Sequence, residues 1–441
     1  MRRIMTLLVS SVVLSGCAFY HPEPLPVAPD LMPGSPTRAA QNGTPEQPLD
    51  MMQVATEAVL RSPDLVALRR AADVSRAQAM AAGLLPDPQF SAGGDHPTVH
   101  GPDLVNAYAL GLSEDLQALL TYPSRSSAAR AAADQAKLNL LWNEWQTIEQ
   151  AGTLYVQTVL LGQKAAQLHQ TATLLQSQSD RSQKALAAGN TTLDLAGANL
   201  STALDVASQA DAASRDASTA GIDLKMLLDL APDAPLQLAG LEDPPPFTKE
   251  QVVAALKNVT RARPDLLALQ AGYHSQEENV RTAILEQFPA ITLGFNRASD
   301  TGRVQTNGLA LTVNLPIFGS TQANIKVQRA TRAKLKAEYQ ARLDQTESDA
   351  WRLFDELSLL RRQIARLEEK LPEFQRMGET SQKAYTAGDL PPATYFILLT
   401  SLSARESELF DLKSLLWGDT LALRTLLAIP AIAPNPAKET K

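Results

Sequence analysis

The chain has 441 residues and a single cysteine, Cys17, so an internal disulfide is excluded. Aromatic residues make up only 5% of it, and its five histidines are scattered. Beyond the first sixteen residues there is no run of about 18 apolar residues, so no segment reads as a transmembrane helix. A membrane crossing by this chain would have to use β-strands. The sequence contains no G-x-S-x-G, H-E-x-x-H, P-loop or dinucleotide-binding glycine pattern. It therefore reads as a non-enzyme without a cofactor. Forty basic and 47 acidic residues leave a net charge of −7. No basic cluster marks a nucleic-acid surface, and none is expected as a partner.

What is present begins at the N-terminus. Arg2 and Arg3 precede a short apolar stretch, Ile4 to Leu14, and then Leu14-Ser15-Gly16-Cys17. Residues 1–16 have the anatomy of a secretory signal peptide. The four residues ending at Cys17 resemble a bacterial lipobox, which implies cleavage before Cys17 and lipidation of it. Ala18 follows, where an inner-membrane retention signal would place Asp, so outer-membrane sorting is expected. Residues 17–48 are rich in proline and read as an extended, solvated tether.

The chain then repeats itself. SPDLVALRRA (62–71) returns as RPDLLALQAG (263–272), AYALGL (107–112) aligns with GLALTV (308–313), and SQKALAAGN (182–190) returns as SQKAYTAGD (381–389). Residues 49–230 and 248–430 are thus tandem copies of one unit. Between them lies 231–247, whose prolines exclude a continuous helix. A short tail, 431–441, reads as disordered. Each copy has the order helix, two strands, long helical hairpin. The opening helix spans about 50–82 in the first copy and 249–286 in the second.

Strands are expected at about 88–94 and 106–116, then at about 290–297 and 307–318. In the second copy Ile291, Leu293 and Phe295 alternate with Thr292, Gly294 and Asn296. Alternation of that kind gives a strand one apolar and one polar face. Segments of this length and pattern fit membrane-barrel strands, and equally a soluble hairpin packed on helices. The helical runs are long. Leu141, Trp145, Ile148, Gly152, Tyr155 and Val159 form one heptad seam; Leu353, Leu357, Leu360, Ile364, Leu367, Leu371 and Phe374 form another. Alanine clusters such as SSAARAAADQA (126–136) leave room for close helix approach. Pro372 is expected to kink or break its helix, because it lacks an N–H and clashes with the preceding turn.

Gly189 and Gly388 each stand at the end of a long helix, where glycine accepts the left-handed conformation that closes it. Asn190, Thr191 and Thr192 offer capping oxygens to the next helix, and Asp194 falls in its first turn. In the second copy Asp389 follows the glycine, and Pro391-Pro392 suit a helix entry. Each phrase is therefore the tip of a helical hairpin, remote from the strands. Four strands cannot close a membrane barrel, since the smallest need about eight. Open edges cannot be satisfied in lipid, so several chains must share one barrel.

These features together resemble the TolC-like outer-membrane efflux ducts, over nearly the whole mature chain. AAGLLPDPQFS (81–91) and the Leu371-Pro372 step are most similar to the CzcC-like cation-efflux branch. The resemblance implies a mainly α fold with a small β part: a periplasmic helical tunnel and four strands per chain in a shared trimeric outer-membrane barrel. It implies a homotrimer, lipid-anchored in the outer membrane and extending into the periplasm. It implies as partners a periplasmic adaptor, docked on tips containing Gly189, Asn190, Gly388 and Asp389, and an inner-membrane pump. It also implies that an acidic residue soon after the first tip glycine faces the closed aperture. Asp194 fits that position, and the reading of Asp194 as a helix cap stands beside it. The second copy departs from the family pattern, with no acid equivalent to Asp194. SEDLQALLTYPSR (113–125) departs too, and places Glu114 and Asp115 at the periplasmic mouth of the barrel.

The expected function is a passive efflux duct for metal cations. Alternatives are a duct for drugs or other toxic organic compounds, and a periplasmic coiled-coil lipoprotein that forms no channel. His96 and His100, in HPTVHG between the first two strands, are weak metal candidates that would need a further ligand such as Asp95 or Asp103. A plain solvated loop is the competing reading.

Overall fold

The computed structural model describes residues 20–32, 48–99, 101, 103–315, 317 and 319–429. Cys17, the signal segment, His100 and the 431–441 tail lie outside the described residues. The first copy comprises helices α1 (Met51–Arg61) and α2 (Pro63–Ala82), strands β1 (Gln89–Asp95) and β2 (Ala107–Asp115), and helices α3 (Leu116–Ala187) and α4 (Leu193–Leu227). The second repeats the order with α5 (Lys249–Ala262), α6 (Pro264–Leu285), β3 (Ala290–Ser299), β4 (Gln305–Asn314), α7 (Ser320–Ala387) and α8 (Pro392–Leu426). No described helix is long and apolar enough to cross a membrane.

The opening helix of each copy is two helices. Pro63 and Pro264 each stand at the first position of the second one. A proline keeps the residue before it out of the α region. Ser62 and Arg263 accordingly take ψ of 121° and 119°, and the chain turns there. Proline also acts differently from expectation deeper in the chain. α3 begins at Leu116 and continues through Pro123. α7 runs unbroken from Ser320 to Ala387 with Pro372 inside it. Pro372 is exposed, so the carbonyl deprived of a partner faces water, and its own carbonyl accepts from Arg376 Nε at 3.2 Å. The expected break at Pro372 is therefore absent from the hydrogen-bonded helix. Pro372→Ala should stabilise the chain, by up to about 3 kcal/mol on helix propensity. A denaturant midpoint unchanged or lowered by this substitution would contradict that account.

At ~1.5 Å per residue, the 72 residues of α3 extend ~108 Å and the 68 of α7 ~102 Å. Each is too long to pair with one partner. α3 packs against α1, α2, α4, α6 and α8 in turn. The first core joins Val54 and Ala58 of α1, Tyr155 and Val156 of α3, Leu224 of α4 and Leu421 of α8. Gly152 permits this approach, since a Cβ there would lie 2.9 Å from Leu421 Cδ1. The counterpart in the second copy uses Val252, Leu353, Leu357, Leu360, Ile364, Leu423 and Leu427. A middle core further along the hairpins has Leu168, Leu175, Ala203, Val206 and Phe396. The heptad seam of α7 is buried from Leu353 to Ile364; Leu367 and Leu371 are half-buried and Phe374 is exposed. The seam of α3 is more mixed, with Tyr155 buried and Leu141 exposed.

The N-terminal segment is exposed over residues 20–31 and then meets the inter-repeat linker. Met32 pairs with Leu230, and Leu49 with Leu238, in parallel bridges. The Tyr155 hydroxyl fastens this junction, donating to the carbonyls of Ala239 at 2.7 Å and Leu49 at 3.2 Å. Burial, and next the nearby Asp50 charge, push its pKa up to about 12, so the phenol keeps its proton at neutral pH. Met32 and Leu49 are thus both held beside the inter-repeat segment, a contact that proline content alone does not reveal.

Candidate functional site: a one-faced sheet and two hairpin tips

The four strands form one antiparallel sheet in the order β1-β2-β3-β4. Pairing of β2 with β3 joins the two copies, so neither hairpin stands alone. Register decides the faces. Phe90 lies opposite Leu112, Leu112 opposite Phe295, and Phe295 opposite Leu309. Cross-strand partners share a face, so this row is continuous across the sheet. Below it lie Leu293 opposite Leu311, and Ile291 opposite Val313. The opposite face carries Ser91, Ala109, Gly111, Ser113, Thr292, Gly294, Asn296, Gly308 and Thr312.

The apolar face is uncovered, with Phe295 52% and Leu309 81% exposed. The small face is crowded. A Cβ on Gly111 would lie 2.5 Å from Ser91 Oγ, one on Gly294 3.3 Å from Ser113 Cβ, and one on Gly308 2.5 Å from Asn296 Oδ1. Each glycine is opposite that residue in the ladder. Glycine at each strand interface lets the polar faces converge, as the concave side of a curved sheet requires.

The sheet continues into the helices through short junctions. Asp115 closes β2 and caps α3, its Oδ1 accepting from the N–H groups of Gln117 and Ala118 at 2.9 and 3.2 Å. Gln117 then donates to the Phe288 carbonyl at 3.0 Å, tying α3 to the approach of β3. Glu114 sits on the apolar face beside Leu293. At the other end of the sheet His96 Nδ1 is 2.6 Å from Asn106 Oδ1. Among the described residues no three His, Cys, Asp or Glu side chains form a group able to hold a metal ion.

The tips lie at the ends of α3 and α7. Gly189 takes φ 74° and Gly388 φ 85°. The closure is the same in both. Gly189 N donates to Leu186 O and Asn190 N to Ala185 O; Gly388 N donates to Tyr385 O and Asp389 N to Ala384 O. This double bond pattern satisfies carbonyls that the helix end leaves orphaned. Leu228-Asp229-Leu230 and Leu427-Ala428-Ile429 close the far ends of α4 and α8 in the same way, with Asp229 and Ala428 at φ 57°.

Thr192 occupies the cap position of α4, yet its hydroxyl makes no bond to the helix backbone. That hydroxyl, and next the Leu195 N–H, hold the Asp194 carboxyl below its ordinary value of 3.8. Asp194 is fully exposed in the first turn of α4 and remains a carboxylate at neutral pH. The second tip has no such acid. Instead Tyr385 stacks on Tyr395 with ring centres 4.8 Å apart, and its hydroxyl donates to Gln178 Oε1 of α3 at 2.8 Å. That bond ties the second hairpin, close to its tip, to the body of α3. An open groove of about 500 Å³ beside the second tip is lined by Met377, Ala384, Leu390 and Leu398 among others.

Residues 255–427 match the family described as outer membrane efflux protein. No curated protein matches the chain. Several solved structures are similar in fold. The CmeC outer membrane channel of Campylobacter jejuni is 15% identical, with 86% of this chain and 85% of that one covered and a TM-score of 0.72. A membrane protein from Pseudomonas aeruginosa is 18% identical, covering 93% and 99%, with a TM-score of 0.71. CusC, a protein described for its folding and transmembrane channel formation, is 16% identical over the same shares, with a TM-score of 0.68. The second repeat thus carries the sequence signature of the outer membrane efflux protein family, and the chain as a whole has the TolC-like channel fold.

Proposed function

We propose that three copies of this chain close one barrel across the outer membrane and form a passive duct into the periplasm. The observation that carries this reading is the sheet: four strands, two open edges and one bare apolar face. Unpaired edges are untenable in lipid. Pairing the β4 edge of one subunit with the β1 edge of the next gives twelve strands in three chains, with the glycine-rich face inward. Cys17 carries the lipid anchor. A periplasmic adaptor docks on the tips around Gly189-Asn190 and Gly388-Asp389, and an inner-membrane pump supplies the energy. The test is the mass and conductance of the reconstituted protein. Three chains per particle and a conducting pore are expected. A monomer, or a particle that never conducts, would overturn the duct.

The cargo we assign is metal cations, on the CzcC-like stretches of the sequence and on Asp194. Three Asp194 carboxylates ringing the closed end would repel one another and draw cations in. Two results are expected from planar bilayers. Asp194→Ala raises conductance and lowers cation preference. Acidification reduces the same preference as the carboxylates take up protons, at a pH set by the Thr192 and Leu195 bonds, which lower the Asp194 pKa, against the mutual repulsion of the ring, which raises it. Equal selectivity in wild type and Asp194→Ala would leave Asp194 as a helix-end residue. Cells lacking the chain should become sensitive to metal salts. Sensitivity to dyes and antibiotics alone would keep the duct and assign it to organic cargo.

A further inference from the structure

We propose that Arg297 binds a lipid phosphate at the outer rim of the membrane band. The inference rests on the reading of the sheet as a membrane wall. The register places Arg297 on the apolar face, opposite Leu110 on one side and Asn307 on the other. It is exposed, and its hydrogen bond to a described residue runs from Nη2 to Gln305 Oε1 at 3.3 Å. β3 is an inner strand of the sheet, so pairing with another subunit does not cover it.

Position along the strand gives Arg297 its partner. Exposed apolar residues Ile317, Leu315, Val313, Leu311 and Leu309 recur at every second position up to Leu309. The next is Asn307, the partner of Arg297. β4 ends at Asn314, and the seven steps from there to Asn307, at ~3.3 Å each and tilted ~40°, rise ~18 Å along the membrane normal, most of the ~25 Å apolar band of such barrels. Arg297 therefore leaves the band where headgroups begin, on the side of the strand loops. Tyr108, opposite Ser299 in the following row, sits where aromatic residues flank the band.

A guanidinium there can extend past the band and still reach a phosphate in a fork of two N–H groups, which an ammonium cannot do. The Gln305 contact holds the fork against the wall. Asp300, the acid of the adjacent turn, is engaged by the N–H groups of Gly302 and Val304 at 2.8 and 2.9 Å. The ligand is thus an anionic headgroup phosphate of the outer leaflet, at one site per chain.

The test uses the full-length protein in detergent and in vesicles, with lipid A, its dephosphorylated form and inorganic phosphate as probes. Wild type is expected to retain lipid A through purification and to gain thermal stability from it. Arg297→Gln should lower retention roughly fivefold, the loss of about 1 kcal/mol per site, and Arg297→Lys should fall between the two. The dephosphorylated lipid should bind both proteins equally weakly. Lipid A retained equally by Arg297→Gln, or protection by inorganic phosphate alone, would overturn the site. Failure of wild type to insert into any vesicle would instead overturn the membrane wall itself, and the site with it. Insertion measured by conductance separates the two cases.

Discussion

Phe295→Arg should cripple assembly into a membrane, while Asn296→Arg, one residue away, should leave assembly intact and alter the current. Phe295 lies in the middle of the apolar row, between Leu112 and Leu309. A cation on the lipid face costs about 2–4 kcal/mol per chain at the bilayer midplane and about 0–1 at its rim, and Phe295 stands one row inside Arg297, so a cost between those limits is expected in each chain. With the substitution in every subunit of a shared barrel, that cost is multiplied. Asn296 points to the opposite face, where its Oδ1 lies over Gly308. A longer cation at 296 meets water, so it should lower cation conductance without loss of assembled protein. The measurement is the fraction of protein in heat-resistant membrane particles, followed by single-pore current. The reverse outcome, with Phe295→Arg assembling and Asn296→Arg failing, would turn the sheet inside out.

Asp265→Ala should cost the helical body about 3–5 kcal/mol, the penalty for removing one partner of a buried ion pair. Arg263 and Asp265 are only 3% and 7% exposed at the break between α5 and α6. Arg263 Nε lies 2.7 Å from Asp265 Oδ1, and Nη2 donates to Oδ2 at 3.0 Å. Nη1 donates to Thr346 Oγ1 of α7 at 2.8 Å. The guanidinium also sits 4.9 Å from the Trp142 ring of α3. One side chain thus gathers α3, α6 and α7 at the place where proline turns the chain. Asp265 in addition accepts from the Leu266 N–H at 2.9 Å. Removing the carboxylate strands a cation, whereas Arg263→Met combined with Asp265→Leu removes both charges and should recover most of the loss. Chemical denaturation followed by the helical signal reads the difference. A loss under about 1 kcal/mol for Asp265→Ala would show that water or Thr346 replaces the carboxylate.

The two tips show why some of this was legible in advance. Gly189 and Gly388 close their helices through bonds to residues at most five positions away, so the repeated phrase sufficed to place both turns. The split of each opening helix, read from the sequence as one continuous helix, nevertheless obeys the same local logic, because Pro63 and Pro264 act on their immediate neighbours. Pro372 and Pro123 show the limit of that logic. Each has the same local effect, yet each lies within a helix of about seventy residues held by packing along its length. The lost bond at the exposed Pro372 did not outweigh that packing. The first-tip acid is a mixed case. Its position in the first turn of α4 could be read, but not that the Thr192 hydroxyl turns to Asp194 rather than to the backbone.

Local pattern alone determined the tandem repeat, the long hairpins, their glycine tips and the alternation of each strand. These depend on residues within a few positions of one another, where backbone sterics and side-chain period dominate. Only the tertiary structure decided how distant segments meet. A strand period of two gives every strand an apolar side, but pairing of β2 with β3 across the repeats aligns Phe90, Leu112, Phe295 and Leu309 into one surface. The same long-range packing buries Arg263 against Trp142 and fastens Leu49 and Ala239 to Tyr155. Register and burial are properties of pairs far apart in sequence, and a one-residue slip would have turned the same strands to face the opposite way.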